Sequence, residues 1–325
     1  MSSPVIAALD LGYNTFRLML AEKRAEGLEI AGGCQAQADQ VGGASWVNKR
    51  VFQHIPRLSE RLTPGGNFAP EALVRAWDSL NEFDRLIKEA GAEKVLAGAT
   101  MAARLAADGP DFMGEISRRF GWEAVILTGE EEAELTATGG VSGLEPTPEE
   151  GLIFDIGGRS TEFIPTSERQ IIKSRSLPLG VVELTEAHLG DPIGDGELEA
   201  VSAAVKKTLS QADFSDVGSE ASLVGTAGTV TTVAALLLGL REYDPDLVNN
   251  ARLGRASIAD LLTRLAAVPV AERISRYNLH PRRADAIVAG LVLVLEILDH
   301  FGRHELLVSD NGLLEGVWLK ASEIN

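Results

Sequence analysis

The sequence contains a single cysteine, Cys34, so an internal disulfide is excluded. A chain without disulfides fits a reducing compartment. Cys34 has no histidine at a recognisable spacing, and the sequence carries no P-loop, zinc-binding or nucleic-acid-binding motif. These absences argue against a cysteine nucleophile and against a zinc site.

Long hydrophobic segments are also missing from the sequence. The apolar run LVLVLEIL is interrupted by Glu296 and is too short to span a bilayer. The initial residues, MSSPVIAALD, lack the basic region of a signal peptide and indicate a strand. We therefore expect a cytoplasmic protein that has no membrane partner.

Basic residues are few, because 30 lysines and arginines stand against 47 acidic residues, which gives a formal net charge of −17. Such a surface repels nucleic acid and long polyanions unless one groove is locally basic. We therefore expect no nucleic-acid partner. With 45% hydrophobic and 24% charged residues the composition is that of a globular protein, and 325 residues are enough for two domains.

One sequence pattern occurs twice, once in each half of the chain. Residues 5–24 read VIAALDLGYNTFRLMLAEKR, and residues 151–169 read GLIFDIGGRSTEFIPTSER. Each segment has an apolar strand, an aspartate, a glycine, a small polar cluster and a second strand, which is typical of a hairpin. Two such hairpins predict two similar domains, and the alternating strands and helices around them predict an α/β fold.

The polar loops of both hairpins are candidates for binding phosphate. Glycine lets the backbone approach a ligand, and small polar residues supply hydrogen-bond donors. The loops contain Asp10, Gly12, Asn14 and Thr15 in the first hairpin and Asp155, Gly157, Gly158, Ser160, Thr161 and Glu162 in the second. Each loop alone is also explained as a plain turn, but the repetition favours a binding site. The two acids of the second loop suit Mg²⁺, which binds one or two carboxylates together with substrate oxygens.

Other segments carry candidate residues that also have a structural explanation. The turn after Leu223, in LVGTAGTVTT, precedes a helix whose N-terminus either receives an anion or simply packs on a strand. The glutamates at residues 130–132 suit a helix start, and one of them is a candidate base. Arg104 fits either a solvated face or a phosphate clamp. For residues 280–283 we favour an ordinary loop before a helix.

Taken together, these segments resemble the Ppx/GppA phosphatases, the family of exopolyphosphatases and guanosine pentaphosphate phosphohydrolases. The segments that carry the resemblance are ALDLGYNTFRLML, ATMAAR, LTGEEEAEL, FDIGGRSTE, SLPLGVVELTE, GTAGTVTTVAALLLGL, HPRRADAIVAG and VSDNGLLEG, in the order of the family. The resemblance implies a duplicated two-domain fold of the actin, hexokinase and Hsp70 type (ribonuclease H-like), with the active site in a cleft between the domains.

The resemblance also implies where the domains divide. It places a first domain at residues 1–122, a second at residues 123–310, and a C-terminal helix at residues 311–325 that packs back on the first domain. The Pro- and Glu-rich residues 144–150, LEPTPEE, offer an alternative connection between the halves.

The activity implied is hydrolysis of a terminal phosphoanhydride in a small polyanion, either short polyphosphate or pppGpp. The resemblance makes Glu131 the catalytic glutamate and Arg104 a catalytic arginine. It implies Mg²⁺ or Mn²⁺ held by Asp10, Asp155 and Glu162. The phosphate-binding residues that it implies are Gly12, Tyr13, Asn14, Thr15, Arg17, Gly157, Gly158, Arg159, Ser160 and Thr161. A homodimer is left open.

Several positions depart from the motifs of the family. Tyr13 and Met101 stand where the family has serine, and Arg159 replaces the third glycine of the second loop. In RLSERL, Ser59 and Arg61 replace the two glycines of the family's RLGEGL. These departures leave open a non-catalytic relative that binds polyphosphate or ppGpp. An ATPase or kinase of the same superfold is the other alternative.

Overall fold

The computed structural model describes residues 4–23, 46–168, 170–281 and 283–323. The chain divides into two compact units. Unit 1 contains Met1–Ser142 and Leu313–Asn325, and unit 2 contains Gly143–Gly312. The division lies next to the Pro- and Glu-rich residues 144–150 and twenty residues beyond the boundary that the resemblance implies at residue 122.

Unit 1 is built on a mixed sheet. Its strands are β1 (Val5–Leu11), β2 (Phe16–Lys23), β3 (Trp46–His54), β4 (Lys94–Ala99) and β5 (Glu123–Ile126). They lie in the order β3-β2-β1-β4-β5, with β1, β2 and β3 antiparallel and with β4 parallel to both β1 and β5. Because β5 completes this sheet, a boundary at residue 122 would separate β5 from the strand with which it pairs.

The helices of unit 1 lie between and after the strands of its sheet. They are α1 (Pro70–Ala90), α2 (Met101–Leu105), α3 (Gly109–Phe120), α4 (Gly129–Val141) and α12 (Leu313–Glu323). Helix α1 has proline in its first turn and ends at Gly91, which has a φ of 64° that glycine adopts without strain. Its buried face includes Leu80, Phe83 and Ile87, which pack into the core of unit 1.

Unit 2 repeats this architecture. Its strands are β6 (Glu150–Ile156), β7 (Thr161–Ser167), β8 (Gln170–Ile171), β9 (Arg175–Leu177), β10 (Ser222–Thr226), β11 (Arg252–Gly254) and β12 (Glu305–Val308). The path β8-β7-β6-β10-β12 has the same order and the same strand directions as β3-β2-β1-β4-β5. The predicted α/β class and the duplicated ribonuclease H-like topology are thereby confirmed.

The helices of unit 2 surround one very apolar helix. They are α5 (Val181–His188), α6 (Glu197–Gln211), α7 (Ala227–Leu237), α8 (Pro245–Val248), α9 (Arg255–Ala266), α10 (Val270–Tyr277) and α11 (Ile287–His300). Helix α11 contains the run LVLVLEIL and is buried in the core. Its Glu296 accepts a hydrogen bond from Ser202 at 2.6 Å and lies 3.5 Å from the ammonium group of Lys206. Among the described residues, no helix is long and apolar enough to cross a membrane.

Helix α12 forms part of the core of unit 1, although it lies far from that unit's other elements in sequence. Trp318 is fully buried, donates its indole N–H to the Ile6 carbonyl at 3.2 Å, and packs edge-on against Trp46. The backbones of α12 and α4 touch, because a Cβ atom at Gly316 would overlap the Leu135 carbonyl. Only glycine therefore allows this approach of the two helices.

The contact at Gly316 predicts that even one methyl group is too large there. Gly316→Ala should destabilise the protein by about 1–3 kcal/mol or more, because the obstacle is backbone and cannot rotate away. The matched control is Gly114→Ala in α3, where a Cβ atom would meet no atom within 4 Å. This control should stabilise the protein by about 0.4–1 kcal/mol. Urea unfolding measures both changes, and equal effects would contradict the packing.

Arg61 has a φ of 58°, a conformation that glycine adopts freely and other residues adopt at a cost. Its guanidinium group also lies 3.0 Å from the exposed Glu71 carboxylate. Arg61→Ala removes the ion pair and keeps the strain, whereas Arg61→Gly removes both. We expect the glycine variant to be the more stable of the two by about 1 kcal/mol in urea unfolding. Equal stabilities would show that Arg61 is not strained.

Candidate active site

The first polar loop is a tight turn between β1 and β2. The Gly12 N–H donates to the Thr15 carbonyl at 3.0 Å, and a Cβ atom at Gly12 would lie 2.9 Å from the same oxygen. Asp10 and Arg17 face each other across the two strands. The loop therefore places a carboxylate and a guanidinium on neighbouring strands beside a turn that requires glycine.

Residues outside the hairpin form hydrogen bonds with the other residues of the first loop. The carbonyls of Tyr13 and Asn14 accept hydrogen bonds from the backbone N–H groups of Ser59 and Arg57, at 3.1 and 3.0 Å. The Asn14 side chain is exposed, and its amide oxygen accepts a hydrogen bond from the Ser59 hydroxyl at 3.0 Å. Residues 57–59 thus hold the loop in one conformation.

The second polar loop, between β6 and β7, is closed in the same way. The Gly157 N–H donates to the Ser160 carbonyl at 2.9 Å. Glycine is also required at Gly180, because a Cβ atom there would overlap the backbone of Arg159. The buried Thr161 hydroxyl donates to the Leu179 carbonyl at 2.6 Å. The two hairpins that were predicted from the sequence repeat therefore share the same loop closure.

Carboxylates flank the second loop as the sequence predicts. Asp155 and Glu162 face each other across β6 and β7. One oxygen of Glu162 accepts hydrogen bonds from the hydroxyls of Ser160 and Ser176, both at 2.7 Å. These hydroxyl groups hold the Glu162 side chain in place beside the loop.

Arg159 and Gly158 occupy the tip of the second loop. The Arg159 guanidinium lies 2.9 Å from the Glu183 carboxylate, and both side chains are about half exposed. A Cβ atom at Gly158 would lie 3.3 Å from Val182, and the carbonyl of Gly158 accepts a hydrogen bond from the Val182 N–H. Arg159 is therefore held by an acid at the start of α5.

The structure separates the roles of the adjacent glutamates at the start of α4. Glu131 belongs to a capping box, in which its N–H donates to the Thr128 hydroxyl and its carboxylate accepts from the Thr128 N–H at 2.9 Å. This backbone hydrogen bond lowers the pKa of the Glu131 carboxyl. Glu132 instead forms a 2.7 Å ion pair with Arg104, which also donates to the Leu127 carbonyl.

Asp10 lies in an acidic environment inside unit 1. Partial burial raises the pKa of the Asp10 carboxyl to about 7, Arg17 opposes this shift, and the negative charges of Glu132 and Glu315 add to it. Glu315 comes from α12, is fully buried, and pairs with the ammonium group of Lys49 at 2.9 Å. The end of β1, the start of α4 and the start of α12 thus place three carboxyl groups where their charges interact.

The third glycine-containing segment lies in unit 2, where β10 ends at Thr226 and α7 begins at the next residue, without the turn that the sequence predicted. The Arg283 guanidinium donates to the Gly228 carbonyl at 3.1 Å and to the Thr232 hydroxyl at 2.6 Å. A small cavity of about 140 Å³ adjoins the beginning of α7 and is lined by Ile156, Gly228, Thr229, Thr232, Arg283, Ala286 and Ile287. Arg283 therefore contacts the N-terminal part of α7, whereas the sequence favoured an ordinary loop at residues 280–283.

The structure assembles the predicted residues within each unit. In unit 1 it brings Arg104 and Glu132 together and places their ion pair near Asp10, while it turns the Glu131 carboxylate back onto the helix start. Sequence reasoning missed Glu315 and Arg283. Both lie in segments that match later motifs of the family, VSDNGLLEG and HPRRADAIVAG, and these matches are the only signal in the sequence.

Comparison with known proteins finds relatives that match this chain over nearly its whole length. Exopolyphosphatase 2 of Mycobacterium tuberculosis is 30% identical over 97% of both chains. The guanosine-5′-triphosphate,3′-diphosphate pyrophosphatase of Aeromonas hydrophila is 25% identical over 97% of this chain and 59% of its own. A crystal structure of the Aquifex aeolicus member of the Ppx/GppA family superposes with a TM-score of 0.80 at 28% identity, covering 98% of this chain and 97% of the other.

The sequence model of the Ppx/GppA phosphatase family matches residues 22–323, which is nearly the whole chain. This match confirms the resemblance found in the sequence and the predicted class of enzyme, a hydrolase of phosphoanhydrides. The chain belongs to the Ppx/GppA phosphatase family.

Proposed function

We propose that this protein releases orthophosphate from the terminal phosphoanhydride of a short polyphosphate or of pppGpp. The observation that carries the proposal is the pair of matching loops, closed by Gly12 with Thr15 and by Gly157 with Ser160. Each loop follows a strand that contributes an aspartate. The names of the relatives support the substrate class, since one is an exopolyphosphatase and another acts on guanosine pentaphosphate.

In this proposal each loop supplies hydrogen-bond donors to phosphate oxygens, and the side chains of unit 1 that surround Asp10 activate water. Backbone N–H groups and small hydroxyl side chains are suitable donors for phosphate oxygens. Glu132 takes the role that the resemblance assigned to Glu131, because Glu131 is engaged in capping whereas Glu132 lies by Arg104 and interacts with Asp10. The carboxylate of Glu132 orients the attacking water and accepts its proton.

The negative charge of the substrate must be neutralised by positively charged groups. Two arginine side chains are placed to do this. Arg104 is held by Glu132 and by the Leu127 carbonyl, so its position is fixed before substrate binds. Arg17 lies opposite Asp10 on β2. A fixed guanidinium matches the geometry of phosphate oxygens and neutralises charge that develops as the anhydride breaks.

The acids of the second loop fit Mg²⁺ or Mn²⁺. Within the described part of the chain, no group of three acidic, histidine or cysteine side chains is arranged so that it could hold a metal ion by itself. Mg²⁺, however, needs only one or two carboxylates besides water and substrate oxygens, and Asp155 and Glu162 face each other on adjacent strands. When bound, the cation polarises the phosphoryl oxygens. In unit 1, Asp10 is proposed separately as a carboxylate that can bind a metal ion.

A panel of substrates tests the function and the need for metal together. We expect phosphate release from tripolyphosphate or pppGpp with Mg²⁺ or Mn²⁺, none in EDTA, and slower release from chains of hundreds of units. The last expectation follows from the net charge of −17, which disfavours an extended polyanion. ATP is included because release of ADP would favour an ATPase. Binding without turnover of any substrate would instead favour a non-catalytic relative.

The two glutamates at the start of α4 predict opposite outcomes for the same substitution. Glu132→Gln should lower kcat by about 10²-fold or more, the scale of a general base. Glu131→Gln is the matched control and should keep kcat within a few-fold, because glutamine also completes a capping box. Steady-state kinetics with the best substrate of the panel measures both variants. A large loss in Glu131→Gln with normal turnover in Glu132→Gln would reverse the assignment.

A further inference from the structure

Residues 57–59 make three hydrogen bonds to the first phosphate loop. The backbone N–H groups of Arg57 and Ser59 donate to the carbonyls of Asn14 and Tyr13. The third bond joins side chains, because the Ser59 hydroxyl donates to the amide oxygen of Asn14 at 3.0 Å. The two backbone hydrogen bonds already hold residues 57–59 against the loop. The Ser59 hydroxyl is therefore not needed to bring residues 57–59 and the loop together.

The two partners of the side-chain bond differ in burial. Ser59 is only 8% exposed, and its carbonyl accepts a hydrogen bond from the Leu62 N–H at 2.9 Å, which closes a turn. Leu58 beside it is also buried. Asn14, by contrast, is an exposed residue of the loop. The Ser59 hydroxyl is therefore held in one position, whereas the exposed side-chain amide of Asn14 is free to rotate when this hydrogen bond is absent.

A fixed donor at the oxygen of an asparagine amide determines where its nitrogen points. The amide oxygen and the NH₂ group lie on opposite sides of the same carbon, so Nδ2 is directed away from Ser59. Within the described part of the chain, Nδ2 of Asn14 has no hydrogen-bond acceptor. Its two N–H donors are therefore available to a ligand, and phosphate oxygen is an acceptor of the right kind.

We infer that Ser59 is a positioning residue, which holds the Asn14 amide so that its N–H groups donate to the phosphoryl group in the first loop. This inference rests on the proposed function, since it needs a phosphate ligand at that loop. Without the hydroxyl, the exposed amide rotates freely and loses part of its orientation before binding. The loss affects binding of the phosphoryl group, whereas the attack of water relies on Glu132 and Arg104.

The test compares Ser59→Ala with the same substitution at another buried serine of unit 1, whose hydroxyl also donates one hydrogen bond. Ser79 is 6% exposed, and its hydroxyl donates to the Arg75 carbonyl within α1 at 2.9 Å. Ser59→Ala should raise KM for tripolyphosphate about 3- to 10-fold and leave kcat within twofold, the effect of one lost hydrogen bond. Ser79→Ala should leave both constants unchanged. Ser59→Thr keeps the hydroxyl and should keep KM within twofold.

A second measurement separates this inference from the proposed activity. Calorimetry with orthophosphate, the product, should show a Kd about 3- to 10-fold higher for Ser59→Ala than for wild type. If no substrate is hydrolysed but orthophosphate binding weakens in this way, the proposed function fails and the role of Ser59 stands. If neither KM nor Kd changes, or if Ser79→Ala changes them equally, Ser59 has no positioning role. A fall in kcat with unchanged KM also overturns the inference.

Discussion

The close contact between α12 and α4 at Gly316 is the constraint on which the geometry of unit 1 depends. Helix α4 begins with the capping box of Glu131 and with Glu132, and α12 begins with the buried Glu315. Because two helix backbones meet without an intervening side chain, the spacing of these acids cannot relax when a residue nearby changes. Burial is the main cause of the raised pKa of Asp10, and the charges of Glu132 and Glu315, which this packing holds in place, raise that pKa further.

A second theme is the pairing of cations in a strongly acidic protein. Arg104 and Arg159 are each held by a carboxylate, Glu132 and Glu183 respectively. An arginine held in this way has already lost its side-chain freedom, so less entropy is lost when it contacts a phosphate. The phosphate must compete with the paired carboxylate, however. A divalent cation shared with the substrate would reduce this competition, which is consistent with the proposed need for metal.

The sequence predicted those features that depend on local pattern. The repeated hairpins and the two glycine-containing loops both follow from neighbouring residues. Features that depend on distant contacts were not predictable. The pairing of β5 with β4 places it in unit 1, and only the capping box shows that Glu131, not Glu132, turns back to the helix start. The contact of Arg283 with Gly228 joins residues 55 positions apart.

The division of unit 1 into two chain segments has a consequence for synthesis. Unit 2 is continuous from Gly143 to Gly312, so all of its strands leave the ribosome before α12 does. The five described strands of unit 1 have left the ribosome by then. The face of their sheet on which Trp318 packs, beside Ile6, is still open to solvent. Nascent chains would therefore carry an unfinished first unit throughout the synthesis of the second. Apolar surface of unit 1, which is translated first, would therefore stay accessible to chaperones for longer than that of unit 2.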